Sequence, residues 1–171
     1  MNQNIVLIAH NLRSCHNVGS LLRTAEGIGI GKVWLTGYTP YPSRNDDERP
    51  PHIAAKINKQ IEKTALGAEK LVDWDCAEDV FDVMRGLTNA GYTVCALEQT
   101  SSSIPLPSFK PPSKIALIVG NEVKGIDKTL LDKVDICLEI AMLGKKESFN
   151  VVQAAAMALY HLRFSRQLTK A

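Results

Sequence analysis

Six short apolar runs alternate along the chain with segments whose apolar residues recur at helical spacing. The predicted strands are Asn4–Ala9, Lys32–Thr36, Lys70–Trp74, Tyr92–Leu97, Lys114–Gly120 and Val134–Ile140. The predicted helices are Asn17–Ile28, Ile53–Leu66, Glu78–Asn89, Asp127–Lys133 and Ser148–Leu168. Strands that are apolar on both faces are typical of a parallel sheet covered on both sides. The sequence therefore predicts an α/β fold with a mainly parallel six-stranded sheet and helices on both faces.

Length and composition limit the class of protein. With 171 residues and 45% apolar content, the chain fits a single globular domain, which we place at residues 1–171. No apolar run approaches the ~18–20 residues of a membrane span, and the N-terminus lacks the basic start of a signal peptide. The four cysteines form no CxxC pair, so we expect neither a metal site nor a disulfide. We therefore expect a cytoplasmic protein that binds no membrane and no metal.

Two glycine-rich segments resemble nucleotide-binding motifs but lack essential parts of them. Residues 27–31 follow a predicted helix and precede a predicted strand, whereas a dinucleotide fingerprint needs the reverse order. Residues 120–125 have the two glycines of a P-loop, but Ile126 and Asp127 stand where the phosphate-binding Lys and the Ser or Thr are required. These departures argue against a nucleotide-binding switch protein. The chain also has no GxSxG elbow, which argues against an α/β-hydrolase.

Polar loops follow four of the predicted strands, at the sheet edge where parallel α/β proteins bind ligands. These loops are Ala9–His16, Glu98–Ser113, Gly120–Ile126 and Ala141–Glu147. After the first loop, Asn17, Ser20 and Arg23 share part of one helix face, and Arg23 can make a bidentate contact with phosphate. A capped helix with a solvated Arg explains the same spacing equally well.

The other polar segments also have two interpretations each. Gly120 at a strand end lets a ligand approach the backbone, with Glu122 just beyond it, but a plain strand-to-turn junction has the same pattern. Ser148 and Asn150 open the last predicted helix and offer hydroxyl and amide groups to a ligand such as adenine. The alternative is a Ser N-cap on a core helix, and Ser148 can serve both purposes.

Taken together, these segments resemble the signature motifs of the SpoU-type, TrmH-like RNA ribose 2′-O-methyltransferases of the SPOUT superfamily. Asn17–Thr24 matches the form N-x-G-S-x-x-R-T/A, and Gly120–Glu122 matches a Gly-x-Glu core. Ile140–Val151 matches I-P-M-x-G-x-x-x-S-L-N-V, and Lys63–Glu69 resembles a further segment of the TrmH-like branch. Three residues depart from the family pattern, namely Val123, Ala141 and Phe149. The matches occur in the family order and span nearly the whole chain.

The resemblance implies a SPOUT-type α/β fold with a C-terminal trefoil knot, whose crossing lies between roughly Leu97 and Asn150. It implies that the knotted loops bind S-adenosylmethionine, and that the protein is a homodimer with its active site near the subunit interface. The implied cofactor-binding residues are Leu97, Glu98, Gly120, Ile140, Met142, Ser148 and Phe149. We expect no RNA-binding extension at either end of the domain.

The implied reaction is methyl transfer to a ribose 2′-hydroxyl of tRNA or rRNA. The implied catalytic residues are Arg23, Asn17, Glu122, Ser148 and Asn150. The family assigns the position of Arg23 as the catalytic base, but a guanidinium with a pKa above ~12 does not normally lose its proton. We therefore expect Arg23 to anchor an RNA phosphate and polarise the hydroxyl. Glu122 is expected to fix either the loop or Arg23.

RNA binding is expected to be local, because the net charge is only +2. Residues 1–25 contain no acid, and this region supplies the RNA-binding candidates Arg13, His16 and Arg23. A second basic segment near the end contains Arg163, Arg166 and Lys170, for which a solvated face is an equal alternative. Residues 69–82 are acidic and are expected to face away from RNA. A non-catalytic RNA-binding homologue of the same fold is the alternative function.

Overall fold

A computed structural model describes the backbone of residues 3–168 and the side chains of residues 3–165. It contains the strands β1 (Asn4–His10), β2 (Lys32–Thr36), β3 (Trp74–Ala77), β4 (Thr93–Leu97), β5 (Ile104–Pro105), β6 (Lys114–Val119) and β7 (Ile136–Glu139). The helices are α1 (Cys15–Ile28), α2 (Pro51–Ala65), α3 (Val80–Asn89), α4 (Lys128–Leu131) and α5 (Val151–Leu168). None of these helices is long and apolar enough to cross a membrane.

All strand pairs in the described chain are parallel, and the sheet order is β3-β2-β1-β6-β4-β7-β5. The α/β class and the parallel sheet are confirmed, but the predicted count of six strands is wrong, because β5 adds a seventh. Its residues Ile104 and Pro105 pair with Leu138 and Glu139 of β7. Two residues within a proline-rich loop show no strand periodicity, and proline is tolerated there because β5 is an edge strand.

The sheet separates two apolar layers, because successive side chains of a strand point to opposite faces. Ile5 and Leu7 of β1 pack in the layer of α1, α2 and α5, whereas Val6 and Ile8 pack in the layer of α3 and α4. Residues 115–119 of β6 are buried in the middle of the sheet. Helices therefore cover both faces, and the loops at the carboxyl ends of the strands remain to build a site.

β3 begins at Trp74, where the predicted strand Lys70–Trp74 ends, so the predicted bounds are wrong. Residues 68–70 form a 3-10 turn instead. The indole N–H of Trp74 donates to the carbonyl oxygen of Glu69 at 2.9 Å and holds this turn against the start of β3. Val72, which gave the segment its strand-like apolar character, packs into the core between the turn and the strand.

α5 begins at Val151 and not at Ser148. The backbone N–H of Val152 donates to Asn150 Oδ1 at 2.9 Å, which is the contact of an N-cap residue. The predicted cap at Ser148 is therefore wrong, because a second capping residue lies two positions closer to the helix. Residues 141–150 consequently remain in a loop beside the carboxyl end of the sheet.

The crossing of α1 and α2 positions the start of α1. A Cβ atom at Gly19 would overlap the carbonyl oxygen of Ile61 and the hydroxyl of Thr64, so only glycine fits at this crossing. The Thr64 hydroxyl in turn donates to the carbonyl oxygen of His16 at 2.8 Å. The glycine of the first motif therefore serves helix packing, and this packing holds the neighbouring Asn17 at the sheet edge.

Candidate active site

A cavity of about 490 Å³ opens at the carboxyl ends of β4, β6 and β7. Its walls come from the residues that follow β4, the turn after β6 and the loop between β7 and α5. The wall includes all seven residues that the family resemblance implied for the cofactor, namely Leu97, Glu98, Gly120, Ile140, Met142, Ser148 and Phe149. Glu122 and Asn150, which the resemblance implied as catalytic residues together with Ser148, line the cavity as well. The sheet therefore gathers the second and third motifs around one cavity.

The turn after β6, residues 120–126, is closed by its own hydrogen bonds. Asn121 and Gly125 exchange two backbone hydrogen bonds, at 2.9 and 3.2 Å. The side-chain oxygen of Asn121 accepts two further backbone N–H groups of the same turn, at 2.8 and 2.9 Å. A Cβ atom at Gly120 would lie 2.8 Å from the Gly125 backbone, so the tightness of the turn requires the glycine of the second motif. This rigid turn carries Glu122.

The carboxylate of Glu122 clamps the first motif to this turn. The backbone N–H of Arg13 donates to Oε2 at 2.9 Å, and the N–H of Ser14 donates to Oε1 at 3.1 Å. Nδ2 of Asn17 donates to Oε1 at 2.9 Å. Burial alone would raise the pKa of Glu122, but the hydrogen bonds from Arg13, Asn17 and Ser14 outweigh it and hold the pKa below its ordinary value. Glu122 thus fixes the loop, and in the described structure no hydrogen bond joins it to Arg23.

Glu98 holds the same turn from the end of β4. Its Oε2 accepts the N–H of Ile126 at 2.9 Å, and its Oε1 accepts the N–H of Gln99 at 3.1 Å. Gly125 has a φ of +68°, and a Cβ atom there would overlap the Glu98 carboxylate. Glu98 therefore shapes the cavity as well as lining it.

The third wall of the cavity is open to solvent. Ser148, Phe149 and Asn150 are exposed although they line the cavity, and Met142 is half-buried. The side-chain oxygen of Asn150 also caps α5. Hydroxyl, amide and aromatic groups thus lie side by side on one exposed edge, where they can contact a ligand in the cavity.

The charge of the cavity wall is negative. Four carboxylates and one ammonium line it, from Glu98, Glu122, Glu139, Glu147 and Lys124. Such a wall favours a ligand that carries positive charge. Nowhere in the described part of the chain are three or more His, Cys, Asp or Glu side chains grouped so that they could hold a metal ion.

Arg23 lies outside the group of residues around the cavity. It is exposed on α1, six residues beyond Asn17, which is about 9 Å along the helix axis. Each step of three residues turns the side-chain direction by about 60°, so Arg23 is rotated by about 120° from Asn17. The six-residue spacing that suggested a shared helix face therefore points the side chains of Asn17 and Arg23 in different directions.

The basic side chains beside the start of α1 and on α5 differ in their exposure and contacts. Arg13 and His16 are exposed beside the start of α1. Arg163, by contrast, donates to the carbonyl oxygens of Gln3, Ile28 and Gly29, so its guanidinium joins α5 to the end of α1. The side chain of Arg166 and the whole of Lys170 lie outside the described residues.

Sequence analysis missed a polar junction between the ends of β1 and β2. His10 Nδ1 bonds to Thr36 Oγ1 at 3.0 Å, and Asn11 Nδ2 donates to His10 Nε2 at 2.9 Å, which is the pattern of a neutral ring. Burial lowers the pKa of His10, although the charges of Asp127 and Asp79 oppose this shift. Asn11 has a φ of +56°, a conformation that asparagine tolerates better than most residues. The adjacent His10 and Asn11 directly after a buried strand are the sequence feature that could have indicated this junction.

Residues 4–160 match the family model of the SpoU rRNA Methylase family. The chain belongs to this family. A tRNA (guanosine(18)-2′-O)-methyltransferase of Saccharomyces cerevisiae is 27% identical to the SpoU-family chain in an alignment of 147 residues, and the match covers 84% of this chain and 9% of that protein. The 23S rRNA (guanosine-2′-O-)-methyltransferase RlmB of Neisseria meningitidis serogroup B is 27% identical over 164 residues, which are 96% of this chain and 60% of that protein. The chain thus spans less than two thirds of the length of these relatives.

The fold is also found in solved SpoU-type structures. The AdoMet-bound rRNA methyltransferase of Sinorhizobium meliloti superimposes with a TM-score of 0.80 at 21% identity. The match covers 98% of this chain and 58% of that one. The resemblance that the three motifs indicated is therefore confirmed for the family and for the α/β fold with a parallel sheet.

Proposed function

We propose that this SpoU-family chain is an enzyme that transfers a methyl group from S-adenosylmethionine to a ribose 2′-hydroxyl of tRNA or rRNA. The observation that carries the proposal is the Glu122 clamp, which joins the first motif to the cavity lined by the second and third. The printed names of the two relatives, a tRNA and a 23S rRNA guanosine 2′-O-methyltransferase, support this reaction class.

The cavity fits S-adenosylmethionine in size, lining and charge. A volume of about 490 Å³ lies within the usual range of small-molecule sites. Leu97, Ile140 and Phe149 offer apolar surface to an adenine ring, and the excess of carboxylates favours the positive charges of the donor. The seven implied cofactor residues are those we propose to hold it. When bound, the donor supplies an electrophilic methyl group, and the chain supplies position.

The residues of the site then have two roles. One group orients the ribose, and Arg23 binds the RNA backbone. Because Asn17 Nδ2 is bound to Glu122, its carboxamide oxygen is left to accept a hydrogen bond from the ribose hydroxyl and orient it. Ser148 and Asn150 orient the same sugar from the opposite motif. Arg23, which lies on the exposed face of α1, anchors a phosphate. Replacing Arg23 with Lys is expected to lower methylation about 10-fold, and full activity would refute the bidentate anchor.

We also propose that the protein forms a homodimer through α5. Met157 and Tyr160 on this helix are 38% and 59% exposed, and the ring of Tyr160 lies 4.6 Å from that of Phe164. These side chains line a hollow of about 470 Å³, which a second copy can fill. Because α1 packs against α5, Arg23 lies on an element next to this contact. Sedimentation equilibrium of the wild type and of Tyr160→Glu tests the proposal, since only the wild type is expected to dimerise.

The trefoil knot and the cytoplasmic location are further parts of the proposal. β6 and β7 lie on either side of β4, and α5 then returns to pack against β4 and β6 and the turn at residues 106–108. This return path supports a crossing between Leu97 and Asn150. The cytoplasm is the compartment in which we expect the protein to meet tRNA and rRNA.

The decisive experiment combines the purified protein with S-adenosylmethionine that carries a tritiated methyl group, and with unfractionated tRNA or rRNA. Transfer of label into 2′-O-methylated nucleosides, identified after nuclease digestion by mass spectrometry, is the expected result. Ser148→Ala is expected to reduce the transfer without unfolding the protein. RNA binding without binding of the donor in a calorimeter would instead support the non-catalytic homologue.

A further inference from the structure

A second cavity, of about 560 Å³, adjoins the first on the far side of the turn at residues 120–126. The two cavities share a wall formed by Asn121, Val123 and Lys124. The loops after β1 and β2, the first residue of α1 and one side chain of α2 complete the second cavity. A ligand that occupies both cavities therefore passes over this turn.

Tyr38 forms an exposed and rigid aromatic surface in the second cavity. The side chain is 61% exposed, yet its hydroxyl oxygen accepts a hydrogen bond from Asn121 Nδ2 at 2.9 Å. The same Nδ2 donates to the carbonyl oxygen of Asn11 at 2.9 Å, and the backbone N–H of Tyr38 donates to Asn11 Oδ1 at 3.2 Å. Both ends of the residue are thus fixed while the ring faces solvent, so little side-chain entropy is lost when a planar group stacks on it.

The surroundings of Tyr38 are apolar and cationic. Val123 is 76% exposed, and Pro40 and Ile57 add apolar surface. Arg13 and Lys124 are exposed at the rim, and no Asp or Glu is among the described residues that line this cavity. The first cavity has four carboxylates in its wall, so the charge changes sign across the turn.

An RNA nucleotide combines the two properties that this surface complements. Its base is a flat π-surface that stacks on an aromatic ring once it leaves the helix, and its phosphates are attracted by Lys and Arg. We propose that the second cavity holds an unstacked RNA base on Tyr38, next to the reacting ribose, with flanking phosphates at Arg13 and Lys124. This inference rests on the proposed function, because it places the base beside the sugar that enters the first cavity.

The test measures RNA binding without the methyl donor, so it is independent of the methylation assay. The probes are a fluorescent 12-nucleotide single-stranded RNA of randomised sequence and a ribose-phosphate oligomer of equal length without bases. Tyr38→Ala is expected to weaken binding of the RNA about 10-fold and to leave binding of the abasic oligomer unchanged. Tyr38→Phe retains the ring and is expected to bind the RNA nearly as well as the wild type.

The cations are tested by the salt dependence of the same binding. Arg13→Gln and Lys124→Gln are each expected to reduce the slope of log K against log salt by about 0.7, the value for one phosphate contact on a single strand. Lys133→Gln is the matched control, because Lys133 is exposed but precedes β7 at the opposite edge of the sheet. Its slope is expected to equal that of the wild type.

Cross-linking of the wild type keeps the inference testable if Tyr38→Ala fails to fold. Irradiation with 4-thiouridine in the randomised RNA is expected to label peptides that contain residues 38–40 or 121–124. Three results overturn the inference: no RNA binding by the wild type, equal losses for both oligomers in Tyr38→Ala, or cross-links only elsewhere. Failure of donor-dependent methylation with these results intact would overturn the proposed reaction and leave the base site standing.

Discussion

The turn at residues 120–126 and the loop at residues 141–150 form two walls of the same cavity, but they are built differently. The turn is held by backbone bonds between Asn121 and Gly125 and by the carboxylates of Glu98 and Glu122. The loop is exposed along most of its length, and within the described part of the chain the side-chain hydrogen bond at its end is the one by which Asn150 caps α5. The turn is therefore preorganised by its hydrogen bonds, whereas the exposed side chains of the loop have few, so fixing them on a ligand is expected to reduce affinity.

A matched pair of glycine substitutions gives the largest expected difference between the two walls. Gly125→Ala forces a side chain into a left-handed conformation and displaces the Glu98 carboxylate from Ile126. We expect it to lower the free energy of unfolding by about 2–3 kcal/mol. Gly144→Ala in the exposed loop meets no atom within 4 Å, and we expect a change within about 0.5 kcal/mol. Urea unfolding measures both, and equal effects would contradict the comparison.

Glu122→Gln is expected to have the next largest effect. The amide keeps one acceptor oxygen but replaces the other with a donor that faces N–H groups of residues 13–17. We expect a loss of about 1–2 kcal/mol in the free energy of unfolding and a drop of about 10²-fold in methylation, because the first motif moves. Glu147→Gln is the control, since Glu147 is an exposed carboxylate in the same cavity wall. If Glu147→Gln lowered the free energy of unfolding as much as Glu122→Gln, the charge of the cavity wall and not the Glu122 clamp would account for the loss.

Asn150→Ala and Ser148→Ala separate helix capping from ligand contact at the start of α5. Removal of the observed cap at Asn150 is expected to lower the free energy of unfolding by about 1 kcal/mol. Ser148→Ala is expected to leave that free energy unchanged and to lower methylation only. Thermal unfolding and the tritium-transfer assay together distinguish the two roles. The reverse ranking of stabilities would restore Ser148 as the cap.

The smallest expected effect is a pH dependence of the clamp. The pKa of Glu122 is lower in the folded chain than its ordinary value of 4.5, so the folded state binds this proton less tightly than the unfolded state. The stabilisation is therefore complete above about pH 4.5 and is lost as the pH falls through the lowered pKa. The difference in unfolding free energy between the wild type and Glu122→Gln should shrink across that acidic range. A difference that stays constant from pH 6 to pH 3 would contradict the assignment.

The repeated apolar runs predicted most of the fold, since strand and helix periods are local properties of sequence. β5 escaped detection because two residues in a proline-rich loop have no period, and their pairing with β7 depends on the rest of the sheet. The start of α5 was misplaced because Ser148 and Asn150 are both good capping residues, and only the observed backbone path chooses between them.

The sequence predicted which residues belong to the site, but it did not predict the hydrogen bonds that join them. The motif resemblance named Asn17 and Glu122, yet their hydrogen bond joins residues 105 positions apart, and no local pattern encodes such a pair. The same holds for Asn121, which binds Tyr38 and Asn11 through one amide nitrogen. Helical spacing suggested that Asn17 and Arg23 share a face of α1, but the side-chain direction turns along the helix between these positions and separates the two side chains.

The position of β6 between β1 and β4 has a consequence for synthesis on the ribosome. β1 ends at His10, but its second neighbour ends only at Val119, more than 100 residues later. At about 5–20 residues per second, the open edge of β1 waits roughly 5–20 s for its partner. Unpaired strand edges of this kind invite intermolecular pairing, so nascent chains of this protein are expected to depend on chaperone shielding until the middle strand emerges.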